Sequence, residues 1–92
     1  MKKSATTAEK RHLDRVAKLG TCAVCGDLAG LEVHHIRDGQ GMSERASHFL
    51  TIPLCFDCHR GKDGIHGTRN LWKIYKMDEL DALADTIRRL EE

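Results

Sequence analysis

Apolar residues recur at three- and four-residue spacing near both ends of the chain and form only short runs in the middle. Thr6 or Thr7 can cap a first helix in which Leu13, Val16, Ala17 and Leu19 share one face until Gly20 ends it. The opposite face is basic and carries His12, which reads as solvated surface. Residues 21–30 crowd Cys22, Cys25, Gly26, Asp27 and Gly30 into a tight turn. Residues 31–36 predict a strand, apolar at 31, 33 and 36 and interrupted by His34 and His35. Residues 37–47 lack apolar periodicity and read as a polar loop able to lie against a ligand. A second apolar run covers 49–54, and Pro53 marks its end and limits any strand there to a short or edge one. A short helix can carry Cys55, Cys58 and His59 before Gly61 and Gly64 weaken it. Beyond Asn70, Leu71, Trp72, Ile74 and Tyr75 supply one buried patch. Asp78 is an N-cap for a last helix with Leu80, Leu83, Ala84, Ile87 and Leu90 on its apolar face.

These elements amount to a small α+β chain. Its 92 residues fit one domain, and a core of that size is thin enough that metals or cross-links are often enlisted to hold it. No window is apolar enough to span a membrane. The first ten residues are charged without the apolar stretch of a secretory signal, so the expectation is a soluble, intracellular protein with no membrane partner. The net charge of +1 hides an asymmetry. Lys2, Lys3, Lys10, Arg11, Arg15 and Lys18 make the first twenty positions basic, whereas residues 77–92 are dominated by acids. A basic arm suits a polyanionic partner, although charge runs are commonly just solvated surface.

In a reducing compartment the spacing of the four cysteines points to metal or redox chemistry. Cys22-x-x-Cys25 and Cys55-x-x-Cys58 each have the gap that lets two thiolates hold one tetrahedral ion at about 2.3 Å. A redox pair is the rival for either knuckle alone, but two knuckles together favour a single structural zinc. The segment between them must then return to its start. It carries most of the remaining chemistry, because of six histidines all but His12 fall between 34 and 66. Each histidine by itself could merely buttress the zinc. Taken together they suggest more: a zinc that gathers both knuckles also fixes the helix bearing His59 against the strand bearing His34 and His35. Neutral imidazoles on two apposed elements, with His66 as a third, make a divalent-metal site with open positions. One of the adjacent histidines could bind while the other, with an ordinary pKa near 6.5, deprotonates a water. On an extended strand the two side chains point to opposite faces, so they need not converge on the same atom.

The composite of Cys22-x-x-Cys25, Glu-Val-His-His-Ile at 32–36, Ile-Pro-Leu-Cys-Phe-Asp-Cys-His at 52–59 and Gly-Ile-His-Gly at 64–67 resembles the HNH, or ββα-metal, endonucleases. It looks especially like the small bacteriophage HNH proteins related to the recombination-enhancement nucleases. The resemblance covers roughly 21–67. It implies an HNH core with zinc knuckles over 21–67, which the pattern on either side flanks with a basic N-terminal helix over 1–20 and a C-terminal helical segment over 68–92. By that resemblance His34, His59 and His66 hold a catalytic divalent ion and His35 is the general base. The family usually has an asparagine to orient the base. Leu50 and Thr51 occupy that neighbourhood here, and His48 is the nearest polar candidate for the role.

The resemblance therefore implies hydrolysis of a DNA phosphodiester, nicking in the first instance, in phage or prophage DNA metabolism or recombination. The expected setting is the cytoplasm of a bacterial host, with a recombination or packaging protein as a further partner. The expected catalytic ion is Mg²⁺ or Mn²⁺, with imidazole ligands leaning toward Zn²⁺ or Ni²⁺. Backbone binding falls to Lys2, Lys3, Lys10, Arg11, Lys18, Arg37, Arg45, Arg60, Lys62 and Arg69, which makes it salt-sensitive. The alternative is a non-catalytic zinc module that binds nucleic acid or protein, or an adaptor docking through its acidic last helix. It accounts for the cysteines and the basic arm but not for His34, His35, His59 and His66.

Overall fold

The computed structural model describes residues 4–28, 30–41 and 46–92; the expectations for Lys2, Lys3 and Arg45 lie outside them. Helix α1 (Thr7–Ala17) opens with a capping box, in which Thr6 Oγ1 accepts from Glu9 N–H at 3.1 Å and Glu9 Oε1 accepts from Thr6 N–H at 2.7 Å. Strands β1 (Glu32–His35) and β2 (Thr51–Leu54) form a two-stranded antiparallel sheet in which Glu32 faces Leu54, Val33 faces Pro53, His34 faces Ile52 and His35 faces Thr51. Pro53 lies inside β2 rather than at its end. In a sheet of two strands every strand is an edge, so its missing N–H costs no ladder bond on the outer side, while its carbonyl accepts from Ala23 N–H at 2.8 Å.

The chain then turns into α2 (Phe56–Arg60), which packs against both strands, and runs through α3 (Leu71–Ile74) to α4 (Glu79–Leu90). Helices α1 and α4 pack on the sheet and on each other. Val16, Ile36, Ile52, Leu54, Ile65, Leu71, Ala82 and Leu83 are buried together with Cys22, Cys55 and Cys58. The result is a small, compact α+β fold whose core runs directly into the cysteines.

Four burial expectations are corrected. On α1 only Val16 is buried, with Ala17 exposed and Leu13 and Leu19 partly covered. His12 is not free surface: it is partly buried against the Phe49 ring, centroids 5.1 Å apart. In α3 Leu71 is buried and Trp72 partly so, but Ile74 and Tyr75 face outward, because four residues make barely one turn and cannot turn all their apolar groups inward. Helix α4 is rotated from the face its apolar residues predict. Asp78 does cap it, within a capping box with Asp81, yet the buried residues are Ala82, Leu83 and Thr86, and Leu80 and Ile87 remain 48% and 46% exposed. Positions 79, 82, 83 and 86 share a helical face, so this rotation carries the Glu79 carboxylate inward. Thr86 donates to Ala82 O within the helix at 2.9 Å and so needs no further partner.

Candidate metal centre

The first knuckle is a turn closed by Cys22 N–H to Asp27 O at 2.8 Å and Gly26 N–H to Cys22 O at 3.1 Å. Gly26 has φ +80, a left-handed conformation open to glycine without strain. The second knuckle begins at the N-cap of α2, so Cys55 and Cys58 are separated by one turn and present their sulfurs on one side. The bond from Ala23 to Pro53 ties the two knuckles across β2. All four sulfurs lie within 4.8 Å of one another, Cys25 and Cys55 at 3.5 Å, and none is in a disulfide. A tetrahedral ion with bonds of about 2.3 Å spaces its sulfurs by about 3.8 Å. Burial pushes the Cys25 thiol up to about 11, and Cys58 is pushed higher still by burial and by the charge of Cys22. Burial also opposes ionisation of Cys22, but the backbone N–H groups around its sulfur outweigh that and lower it. Val24 N–H, for one, points at Cys22 Sγ from 3.4 Å. One thiolate is favoured and its neighbours resist a second, which is the electrostatic situation that a divalent cation relieves. These four cysteines can hold a metal such as zinc.

The second cluster forms where the chain doubles back after α2. Ile65 N–H donates to Cys58 O at 2.9 Å and His66 N–H to His59 O at 3.0 Å, which lays His66 beside the helix that carries His59. Gly64 permits this approach, since a Cβ there would stand 2.7 Å from Asp57 O and 2.8 Å from Cys58 O. The sequence reading gave Gly64 only a helix-weakening role; its function is steric. Gly64→Ala is expected to cost about 1 to 3 kcal/mol of stability, as overpacking against backbone does, and to displace His66. Thermal melting together with divalent-ion affinity checks both.

One nitrogen each of His34, His59 and His66 lies within 4.8 Å of the others, from β1, α2 and the following loop. The Nε2 atoms of His59 and His66 are 3.1 Å apart. Ligand nitrogens on one ion at about 2.1 Å are spaced about 3 to 3.4 Å. His34 and His59 are buried and His66 is exposed, leaving the cluster open on one side. Burial and the nearby His59, His34, Arg60 and Arg37 hold the His66 imidazole below its usual pKa, which favours the neutral form a metal ligand needs.

Two carboxylates that the sequence reading missed fix the buried rings. Glu32 Oε1 lies 2.7 Å from His59 Nδ1, and Glu79 Oε2 lies 2.8 Å from His34 Nε2. The bond to His59, with help from Arg60, holds the Glu32 carboxyl below the ordinary range. Burial opposes ionisation of Glu79, but bonds from His34 and from the Asp38 and Arg37 N–H groups, at 2.8 and 2.6 Å, outweigh it. Ionised carboxylates can only accept, so His59 Nδ1 and His34 Nε2 are the donating nitrogens, and the other nitrogen of each ring is the one left for a metal. Carboxylates that fix the tautomer of ligating imidazoles in this way recur in metal sites.

His35 leaves the strand on the other face and joins a different group, as alternation requires. Its Nε2 is 2.9 Å from His48 Nδ1. Thr51, the register partner of His35, donates from Oγ1 to His48 O at 3.1 Å and so helps to hold His48 beside that strand. Arg37, Arg60 and Arg69 also come near the cluster. Arg37 and Arg60 are close enough to act on His66, Arg60 donates to Glu32 at 3.2 Å, and Arg69 borders the adjoining cleft with Arg37. Lys62 is exposed just past α2. Lys18 pairs with Asp14 at 2.9 Å on the surface of α1.

No helix among the described residues is long and apolar enough to cross a membrane. Compared with models of known families, with curated proteins and with solved structures, the chain matches none.

Proposed function

We propose that the chain is a metal-dependent endonuclease of the HNH type that hydrolyses DNA phosphodiester bonds, with nicking as its elementary event. Cys22, Cys25, Cys55 and Cys58 hold a structural zinc. His34, His59 and His66 hold the catalytic ion, Mg²⁺ or Mn²⁺ in a cell, with Zn²⁺ or Ni²⁺ compatible with imidazole. The observation that carries the reading is the convergence of three imidazoles apart from the thiols, two of them buttressed by carboxylates, beside a strand whose other face carries His35 against His48. A sulfur-only zinc module has no use for such an arrangement.

A divalent ion held there supplies Lewis-acid stabilisation of the charge that develops on the phosphate and leaving oxygens. His35 takes the proton of the attacking water, and His48 orients the ring through the Nε2–Nδ1 contact. Arg37, Arg60, Lys62 and Arg69 bind flanking phosphates, so affinity falls as salt rises. Within phage or prophage DNA metabolism in a bacterial cytoplasm, a recombination or packaging protein would deliver the substrate. The test is conversion of supercoiled plasmid to the open circle by zinc-loaded protein. Nicking that requires added Mg²⁺ or Mn²⁺ supports the reading, and no nicking with any of the four ions overturns it.

A further inference from the structure

Beside the imidazole cluster lies a cleft of about 470 Å³, within the range of small-molecule sites. Arg37 and Asp38 border it from the loop after β1, Ile65 and Arg69 from the return after α2, Trp72 from α3 and Leu80 from α4. It adjoins the cluster through shared residues: Glu79, which holds His34, is part of its wall, and Ile65 precedes His66. We propose that this cleft receives an unpaired nucleobase of the DNA strand whose phosphate lies at the imidazole cluster. The proposal rests on the nuclease reading and adds to it a substrate class, DNA that is single-stranded next to the cut.

The lining favours a base over a bare phosphate. Arg37 and Arg69 are offset by Asp38, Asp78 and Glu79, so the cleft carries no net positive charge that would single out a bare phosphate. Two of those acids are already engaged within the fold: Glu79 with His34 and two backbone N–H groups, and Asp78 with Asp81 N–H at 2.8 Å. Asp38 sets a carboxylate among the lining groups, complementary to the amino groups of bases. Ile65, Trp72 and Leu80 supply apolar surface, and Leu80 stays 48% exposed on α4. A flat heteroaromatic ring with hydrogen-bonding edges fits apolar walls with a mixed-charge rim, and aromatic side chains are the usual platforms for unpaired bases. The two guanidiniums then meet the phosphates on either side of that base.

Trp72 is the sole tryptophan of the chain, which gives the cleft its own signal. The experiment titrates zinc-loaded protein, without added Mg²⁺ or Mn²⁺, with oligothymidylate, with an abasic strand of equal length and with a blunt duplex. Oligothymidylate is expected to quench Trp72 emission, and the abasic strand and the duplex to leave it unchanged. Followed by anisotropy of a labelled strand, Trp72→Leu should weaken oligothymidylate binding about tenfold, and Trp72→Phe should restore most of it. The exposed Arg69→Ala should weaken binding of thymidylate and abasic strands alike. Equal quenching by the abasic strand, or unchanged affinity in a folded Trp72→Leu protein, overturns the proposal. Base-dependent quenching in a protein that never nicks plasmid would sink the nuclease reading and leave the cleft standing, whereas nicking without quenching would do the reverse.

Discussion

Cys58→Ser is expected to yield a chain that retains no zinc and has lost its cooperative melting transition. Cys58 is buried in the main core cluster beside Leu54, Ile65 and Leu71, and its sulfur closes the gap between the two knuckles. A structural zinc contributes on the order of 10 kcal/mol, comparable with the whole stability of a small domain, about 5 to 15 kcal/mol. Serine would also leave a poor ligand beside the three remaining sulfurs. Circular dichroism and zinc content of the purified variant check this outcome. A folded, cooperatively melting Cys58→Ser protein would mean that the apolar core suffices and that the metal is incidental to the fold.

The second large effect concerns chemistry without folding. His35→Ala is expected to lower the rate of plasmid nicking by about 10² to 10⁴, the range that a positioned general base contributes, while zinc content, helicity and melting temperature remain those of the parent. The two effects separate because His35 leaves β1 on the face away from His34 and is only partly buried. His48→Ala should act in the same direction by a smaller factor, since in the proposed mechanism His48 orients the ring rather than touching the water. Unchanged nicking by His35→Ala would remove it from the role of base.

Much of the site was legible because it rests on short-range rules. The two Cys-x-x-Cys turns, the helix over Cys58 and His59 and the alternation that separates His34 from His35 all follow from spacing within a few residues. Glu32 was within reach of the same rule, standing two positions before His34 and hence on its face of β1. Glu79 was not. It reaches His34 across 45 positions, and no local pattern reports a contact set by how α4 lies on the sheet. The same long-range bond explains the misread face of that helix: apolar spacing at Leu80, Leu83, Ile87 and Leu90 points one way, but the partly buried Glu79 carboxylate and its partners on β1 and the following loop turn the helix toward 79, 82, 83 and 86. Gly64 was misjudged for a related reason. Its value lies in the backbone of Asp57 and Cys58, which only the folded return brings against it.

Calorimetric titration of Mn²⁺ into the zinc-loaded protein, set beside His59→Ala, bears most directly on the existence of two separate cation sites. The parent should take up one Mn²⁺ per chain in addition to its zinc, and His59→Ala should lose that uptake while its zinc stays bound. Absence of any binding beyond the zinc, or uptake unaltered by His59→Ala, would contradict a second cation held by His34, His59 and His66.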